Sequence, residues 1–456
     1  MACPETCVKP RLRQNRAADR RPVEKPASFL TAHMTHHRVR RSFMGFRTAM
    51  PSTTDAVDLL TTLVGFDTTS HRSNLELIAF IECYLDDHGV ASRRVLDTTG
   101  EKANLFATIG PQDRGGVILS GHTDVVPVTG QTWHTDPFTL TAQEGRLYGR
   151  GAADMKGFLA AVLATVPAMT RARLGVPIHL AFSHDEEVGC VGVRSLIDDL
   201  KGVAHRPVAC IVGEPTRMRV ATAHKGKLAI RVSVTGKASH SGMAPEGVNA
   251  IHAAGHLIQW VDTQARAKAE HGPFDERFSV PWTTLQVGVV QGGEALNIVP
   301  ATCHLDIEMR TVPEDDPEAL LEALTAVART VEADMRAHHD EARIEVTRLG
   351  DYPGLSVEET SPLLAFTLGL IEDQDRARIG YGTEAGLFQN GLDIPTLVCG
   401  PGDMAQGHTP DEFIETDQLH QCVAWLHEMV DALTTDAIDS SHGGRAPFIA
   451  ASRPGR

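Results

Sequence analysis

Gly116-Val-Ile-Leu-Ser-Gly-His-Thr-Asp124 is the stretch from which the rest of the chain can be read. Its apolar run predicts a buried strand over Gly116–Ser120, and polar groups arrive at once beyond its carboxyl end. Binding sites in open α/β sheets form beyond that end of the strands. The alternation continues downstream: a helix over Met155–Thr170, a strand over Pro177–Phe182, a helix over Val191–Leu200 and a strand over Val208–Val212. Short apolar runs alternating with helical periods predict an α/β domain with a largely parallel sheet.

The texture changes after Glu214. Lys227–Val234 alternates as a half-exposed strand does. A helix over Val248–Ala269, strands over Thr283–Val290 and Cys303–Met309, a long helix over Pro317–Arg336 and a strand over Arg343–Arg348 follow. This pattern predicts a small α+β insert. The α/β texture resumes with Leu363–Ile371, Thr396–Cys399 and a last helix over Thr416–Leu433. One catalytic domain (residues 51–223 and 351–437), interrupted by one inserted domain (residues 224–350), is therefore expected.

Composition bounds the function. The 456 residues are 42% hydrophobic and 22% charged, the usage of a globular chain of about three domains or fewer. A net charge of -15 argues against a global attraction to nucleic acid or anionic lipid. The longest strongly apolar stretch, Phe158–Met169, falls short of the roughly 20 residues of a membrane span. Eight scattered cysteines without a repeated CxxC pair predict buried, reduced thiols in a cytoplasmic protein. Residues 1–50 carry eleven Lys/Arg against three Asp/Glu, a net of +8 that leaves -23 for the remainder. They read as a disordered extension, an organelle transit peptide, or upstream sequence ahead of a start at Met44 or Met50. Residues 438–456 read as a flexible tail.

Five groups of residues could carry chemistry. His122-Thr-Asp124 offers a metal-binding imidazole and an acid able to hold its other ring nitrogen. Gly149-Arg-Gly-Ala-Ala-Asp154 is glycine-rich, but an acid at Asp154 would repel a dinucleotide pyrophosphate and suits bridging cations instead. Asp185-Glu186-Glu187 follows an apolar strand, where three ionised carboxylates repel one another unless a cation lies near. On extended backbone one of Glu186 and Glu187 can bind that cation while the other faces a water. Glu214 ends another apolar strand and is held extended by Pro215. His408 lies shortly beyond the glycines that end Leu397–Cys399. Each group alone is weak. Together they supply two histidines and three carboxylates, a mixed nitrogen and oxygen set suited to zinc or a similar ion. A pair of such ions would activate water and polarise a carbonyl. No G-x-S-x-G elbow favours a serine hydrolase.

The ordered set His122-Thr-Asp124, Gly151-Ala-Ala-Asp154-Met-Lys-Gly, Asp185-Glu186-Glu187, Gly213-Glu214-Pro-Thr and His408-x-Pro-Asp-Glu resembles the metallopeptidase M20 family from about Thr53 to Leu433. The resemblance implies a two-domain metallohydrolase, a catalytic α/β domain with an inserted α+β lid and dimerisation domain. It implies two Zn2+ per subunit, with Co2+ as a substitute, and a homodimer. His122 and Glu214 would hold one ion, Glu187 and His408 the other, and Asp154 would bridge. Asp124 would orient His122, and Glu186 would be the general base. A cis peptide is implied at Asp154–Met155. In the insert, Gly236-x-Ala-Ser-His240-Ser241 matches a motif whose histidine stabilises the oxyanion in the partner subunit's site, and Asn297 and Arg310 match substrate-contacting positions. Trp133–Phe138, Ala223-His-Lys-Gly226, Gly292–Asn297 and Gly382-Thr383-Glu384-Ala385 narrow the resemblance. They imply hydrolysis of N-acetyl-L-ornithine, with Thr383 and Glu384 at the substrate. Another N-acyl amino acid or a dipeptide is the alternative substrate, and a non-catalytic metal-binding relative the alternative of a different class.

Overall fold

The computed structural model describes residues 54–440. The basic extension and most of the expected tail lie outside them. Residues 438–440 belong to a short helix, Thr435–Ser440, so the tail does not begin at 438 as expected.

A six-stranded sheet runs in the order Ser92–Leu96, Ala103–Ile109, Ile178–Ser183, Val117–His122, Ala209–Val212, Thr396–Val398. The last four of these are parallel to one another, whereas Ala103–Ile109 is antiparallel to both its neighbours. Every residue of Val117–His122, Ile178–Ser183 and Ala209–Val212 is buried. That pattern requires cover on both faces, and it explains why these strands read as unbroken apolar runs rather than alternating ones. Helix Gly157–Arg171 packs on Thr54–Val64 and Thr416–Ala432, and helix Gly192–Lys201 packs on Ala385–Leu392. The continuous stretch Ala152–Arg171 matches a membrane span in length and composition, but 89% of its most apolar window is buried inside the protein. It is the central core helix.

The insert builds a second sheet, ordered Thr284–Gly292, Thr302–Thr311, Gly226–Thr235, Arg343–Tyr352, with every pairing antiparallel. Here burial alternates, so Leu228, Ile230, Val232 and Val234 face inward while the residues between them are partly or fully exposed. Helices Ala250–His271 and Pro317–Arg336 contribute Leu257 and Leu324 to this second core, which is separate from the first. Their starts are fixed locally. Asn249 accepts the amides of Ile251 and His252, and Asp316 accepts that of Glu318 ahead of Pro317. The chain leaves the first sheet and returns to it side by side, because Ala223–His224 pairs with Leu355–Ser356.

Candidate metal centre

Three strand ends present the first ligands. Val117–His122 ends on His122, Ile178–Ser183 leads into Glu186 and Glu187, and Ala209–Val212 leads into Glu214. Glycine makes the third approach possible. A Cβ on Gly213 would fall 2.1 Å from the Phe158 ring, and one on Gly400 would fall 1.9 Å from the Gly213 carbonyl oxygen. Asp154 does not follow a strand of the six-stranded sheet. It sits in an irregular turn, Ala152–Lys156, ahead of the core helix, with non-helical φ/ψ and a cis bond to Met155.

The side chains converge on Asp154. Its Oδ1 lies 3.0 Å from His122 Nε2 and its Oδ2 3.1 Å from His408 Nε2. Glu214 Oε1 is 3.8 Å from His122 Nε2, and Glu187 Oε2 is 2.9 Å from His408 Nε2. Two ligand sets result, His122–Asp154–Glu214 and Asp154–Glu187–His408, each with its donor atoms within 4.8 Å of one another. The first set is buried, whereas His408 is exposed and takes a left-handed φ of 60°.

The electrostatics fit cations. Burial raises the Glu187 carboxyl to about 7, with Asp154 adding to the shift and His408 opposing it. Burial and then Asp154 raise Glu214 well above the carboxylate range. Burial pulls the His122 imidazole down, but Asp124, Asp154 and Glu214 outweigh it and hold the ring well above 6.5. Glu187 Oε1 is buried without a hydrogen-bond partner. Three crowded carboxylates, an orphaned oxygen and two imidazoles form a donor set that divalent ions would satisfy.

Asp124 meets His122 with its main chain first and its carboxylate second. His122 Nδ1 lies 2.9 Å from the Asp124 main-chain carbonyl, while the carboxylate oxygen is 3.6 Å away. The Asp124 carboxylate accepts instead from Ser70 Oγ at 2.7 Å and from the amides of Glu186 and Glu187 at 3.1 and 3.4 Å. Glu186 accepts the Cys190 thiol at 3.2 Å, and burial raises its carboxyl well above the usual range. Ser70 and Cys190 carried no signal in the sequence beyond being a hydroxyl and a thiol.

Other expected site residues lie elsewhere. Thr383 and Glu384 are buried; Thr383 Oγ1 accepts the Ala385 amide, and Glu384 lies 3.5 Å from Ser120 Oγ. Among the described residues, no hydrogen bond or ion pair joins His240 or Asn297 to the cluster, and both are exposed. Arg310 donates to Tyr352 Oη at 2.6 Å. Of the described cysteines, five are buried as expected, but Cys83 is exposed.

The family model of peptidase family M20/M25/M40 matches residues 118–432. An acetylornithine deacetylase of Edwardsiella ictaluri is 36% identical over 355 residues, which is 76% of this chain and 88% of that protein. One from Myxococcus xanthus is 36% identical over 378 residues, covering 81% and 95%. Among solved structures, an M20 family metallo-carboxypeptidase of Sulfolobus solfataricus superposes with a TM-score of 0.67 at 18% identity, covering 82% of this chain and 98% of that one. A dinuclear metal-binding M20 peptidase of Bacillus subtilis gives 0.58 at 17% identity, covering 84% and 98%.

Proposed function

The chain belongs to peptidase family M20/M25/M40, and from that premise we propose that it removes the acetyl group from N-acetyl-L-ornithine, giving L-ornithine and acetate in arginine biosynthesis. The observation that carries the reading is the pair of ligand sets sharing Asp154 beside the half-buried Glu186. The named function of the relatives at 36% identity supports the choice of substrate.

His122, Asp154 and Glu214 would hold one ion, and Asp154, Glu187 and His408 the other. We assign Zn2+ to both, with Co2+ able to replace it. Such ions supply Lewis-acid chemistry, polarising an amide carbonyl and acidifying water. The remaining steps fall to the chain's own groups. Nδ1 of His122 carries the proton, since the carbonyl it faces can only accept, and Nε2 is left as a donor to the ion. Glu186 takes a proton from the attacking water and delivers it to the leaving amine. Cys190 and the Asp124-anchored turn hold that carboxylate in place.

A cavity of about 220 Å³ is lined by Lys225, Arg310 and Arg378. Burial and then Arg310 lower the Lys225 pKa, so an anion there would relieve repulsion. This suits the carboxylate of an amino-acid substrate. Residues 224–350 would act as lid and dimerisation domain in a cytoplasmic homodimer. Val289 and Val290 are exposed on the edge strand Thr284–Gly292, as are Leu296 and Ile298 beyond it, an apolar edge that suits a second copy. His240, exposed on this domain, would then serve the partner's site.

Steady-state assays on N-acetylornithine, N-succinyl-diaminopimelate and a panel of N-acyl amino acids and dipeptides test the reading, with chelator and with added zinc. N-acetylornithine should give the highest kcat/KM, lost with chelator and restored by zinc. Preference for a succinylated substrate or a dipeptide would overturn the substrate assignment. Full activity under exhaustive chelation would overturn the metal centre.

A further inference from the structure

Glu412 is 1% exposed, yet it is ionisable and closely bonded. Its Oε1 accepts the amides of Ala153 and Asp154 at 2.9 and 3.0 Å. Its Oε2 accepts the Gly151 amide at 3.0 Å and Arg150 Nη1 at 2.6 Å. These amides belong to the turn that carries Asp154, the carboxylate common to both ligand sets. Arg150 is equally buried. Its Nη2 donates to Gln131 Oε1 at 2.5 Å, and its guanidinium lies 5.0 Å from the centre of the Trp133 ring. Trp133 Nε1 donates to the same Gln131 oxygen at 3.0 Å. Gln131 Nε2 then donates to the main-chain carbonyl of His408 at 2.9 Å.

One unbroken chain of hydrogen bonds therefore runs from the backbone of Asp154 to the backbone of His408. A second tie lies beside it: Asp411 accepts the amide of His134 at 2.8 Å and its ring Nδ1 at 2.6 Å. His408 needs such an anchor. Its side chain is 44% exposed, whereas those of His122, Asp154 and Glu214 are each at most 4% exposed and are held by the packed core. A buried ion pair of this kind adds little net stability, but it fixes geometry through short, charge-assisted bonds.

We infer that Gln131, Arg150 and Glu412 are positioning residues that set the spacing of Asp154 and His408, and that the Gln131 link to His408 tunes the cation affinity of the Asp154–Glu187–His408 site alone. The inference rests on the two-metal reading above. Positioning groups behind metal ligands are commonly worth 10- to 100-fold in affinity. The His122–Asp154–Glu214 site should escape the effect, because its other two ligands come from strand ends and not from the His408 loop.

Gln131→Glu isolates the link. It keeps an oxygen for Arg150 and Trp133 but places a second oxygen, not a donor, against the His408 carbonyl. Gln131→Ala cuts the link without adding charge. Metal-free, full-length protein is dialysed against buffered Zn2+ and its zinc content measured across free-ion concentrations. The parent should bind two ions. Both variants should bind the first as the parent does and the second at least 10-fold more weakly, with the melting temperature of the metal-free protein unchanged. Parent-like affinity at both sites in Gln131→Glu, or equal weakening at both, would overturn the inference while leaving the metal centre intact. A parent that binds fewer than two ions would overturn the two-metal reading itself, and this inference with it.

Discussion

The main-chain carbonyl of Asp124 lies 2.9 Å from Nδ1 of His122, closer than the Asp124 carboxylate at 3.6 Å. The carboxylate is spent on the Glu186–Glu187 turn. Asp124→Asn therefore keeps the imidazole oriented but turns an amide group toward one of two N–H donors. The variant should lose roughly 10- to 100-fold in kcat, the usual scale for groups behind a metal site, while the zinc affinity of the His122 side stays within about threefold. Zinc loss at that side with normal turnover would show that the carboxylate does orient the ring.

Glu186 and Glu187 are neighbours with different partners, a thiol in one case and His408 in the other. Glu186→Ala should reduce kcat by about 10³-fold or more and leave two bound zinc ions. Glu187→Ala should lose one ion. Metal analysis beside steady-state kinetics checks both. Full metal content and normal rate in the pair would refute the division of labour.

His240 is exposed, and among the described residues no hydrogen bond or ion pair joins it to the centre of its own chain. His240→Ala should lower kcat roughly 10²-fold, the scale of a lost oxyanion donor, with a smaller change in KM. Mixing the His240→Ala and Glu186→Ala proteins under conditions that exchange subunits should restore activity to about a quarter of the parent, because half the dimers then carry one intact composite site. No recovery in demonstrated heterodimers would place His240 in its own subunit's reaction.

Acid should weaken the fold through His179 and His224, whose pKa values burial lowers to about 4. The unfolded chain takes up their protons as pH falls through about 6.5, but the folded chain does so only near 4. Stability is therefore lost between those values, by up to about 3 kcal/mol per histidine, and changes little from this cause on either side. Glu384, raised to about 7 by burial, acts in the opposite sense over part of the range. The comparison must therefore be made against His179→Gln, which should start less stable at pH 7 and lose less by pH 4.5 in urea unfolding. An identical loss would exclude His179 as a source.

The parallel strands and the insert's long helices were legible because burial on two faces, or on one, writes itself into apolar periodicity. Pro317–Arg336 matches its expected span because Asp316 and Pro317 mark its start. The antiparallel strand Ala103–Ile109 was missed: five residues in succession are buried, so it shows no alternation, and its direction is set by the long-range pairing with Ile178–Ser183. At the centre, ligand identity was readable because histidines and acids just beyond apolar strands are chemically conspicuous. Asp124's use of its carbonyl was not, since every residue has one. Nor was the burial of Thr383 and Glu384, which depends on what packs above them.

The pairing of Ala223–His224 with Leu355–Ser356 has a consequence for how such a chain diversifies. The chain's two crossings into the segment between them run side by side, and that segment meets the first domain again at the cavity shared by Lys225, Arg310 and Arg378. A replacement cassette must match both the paired crossings and the face toward Arg378. Exchange of that segment would carry His240 with it, whereas the ligand sets around Asp154 would stay with the parent fold.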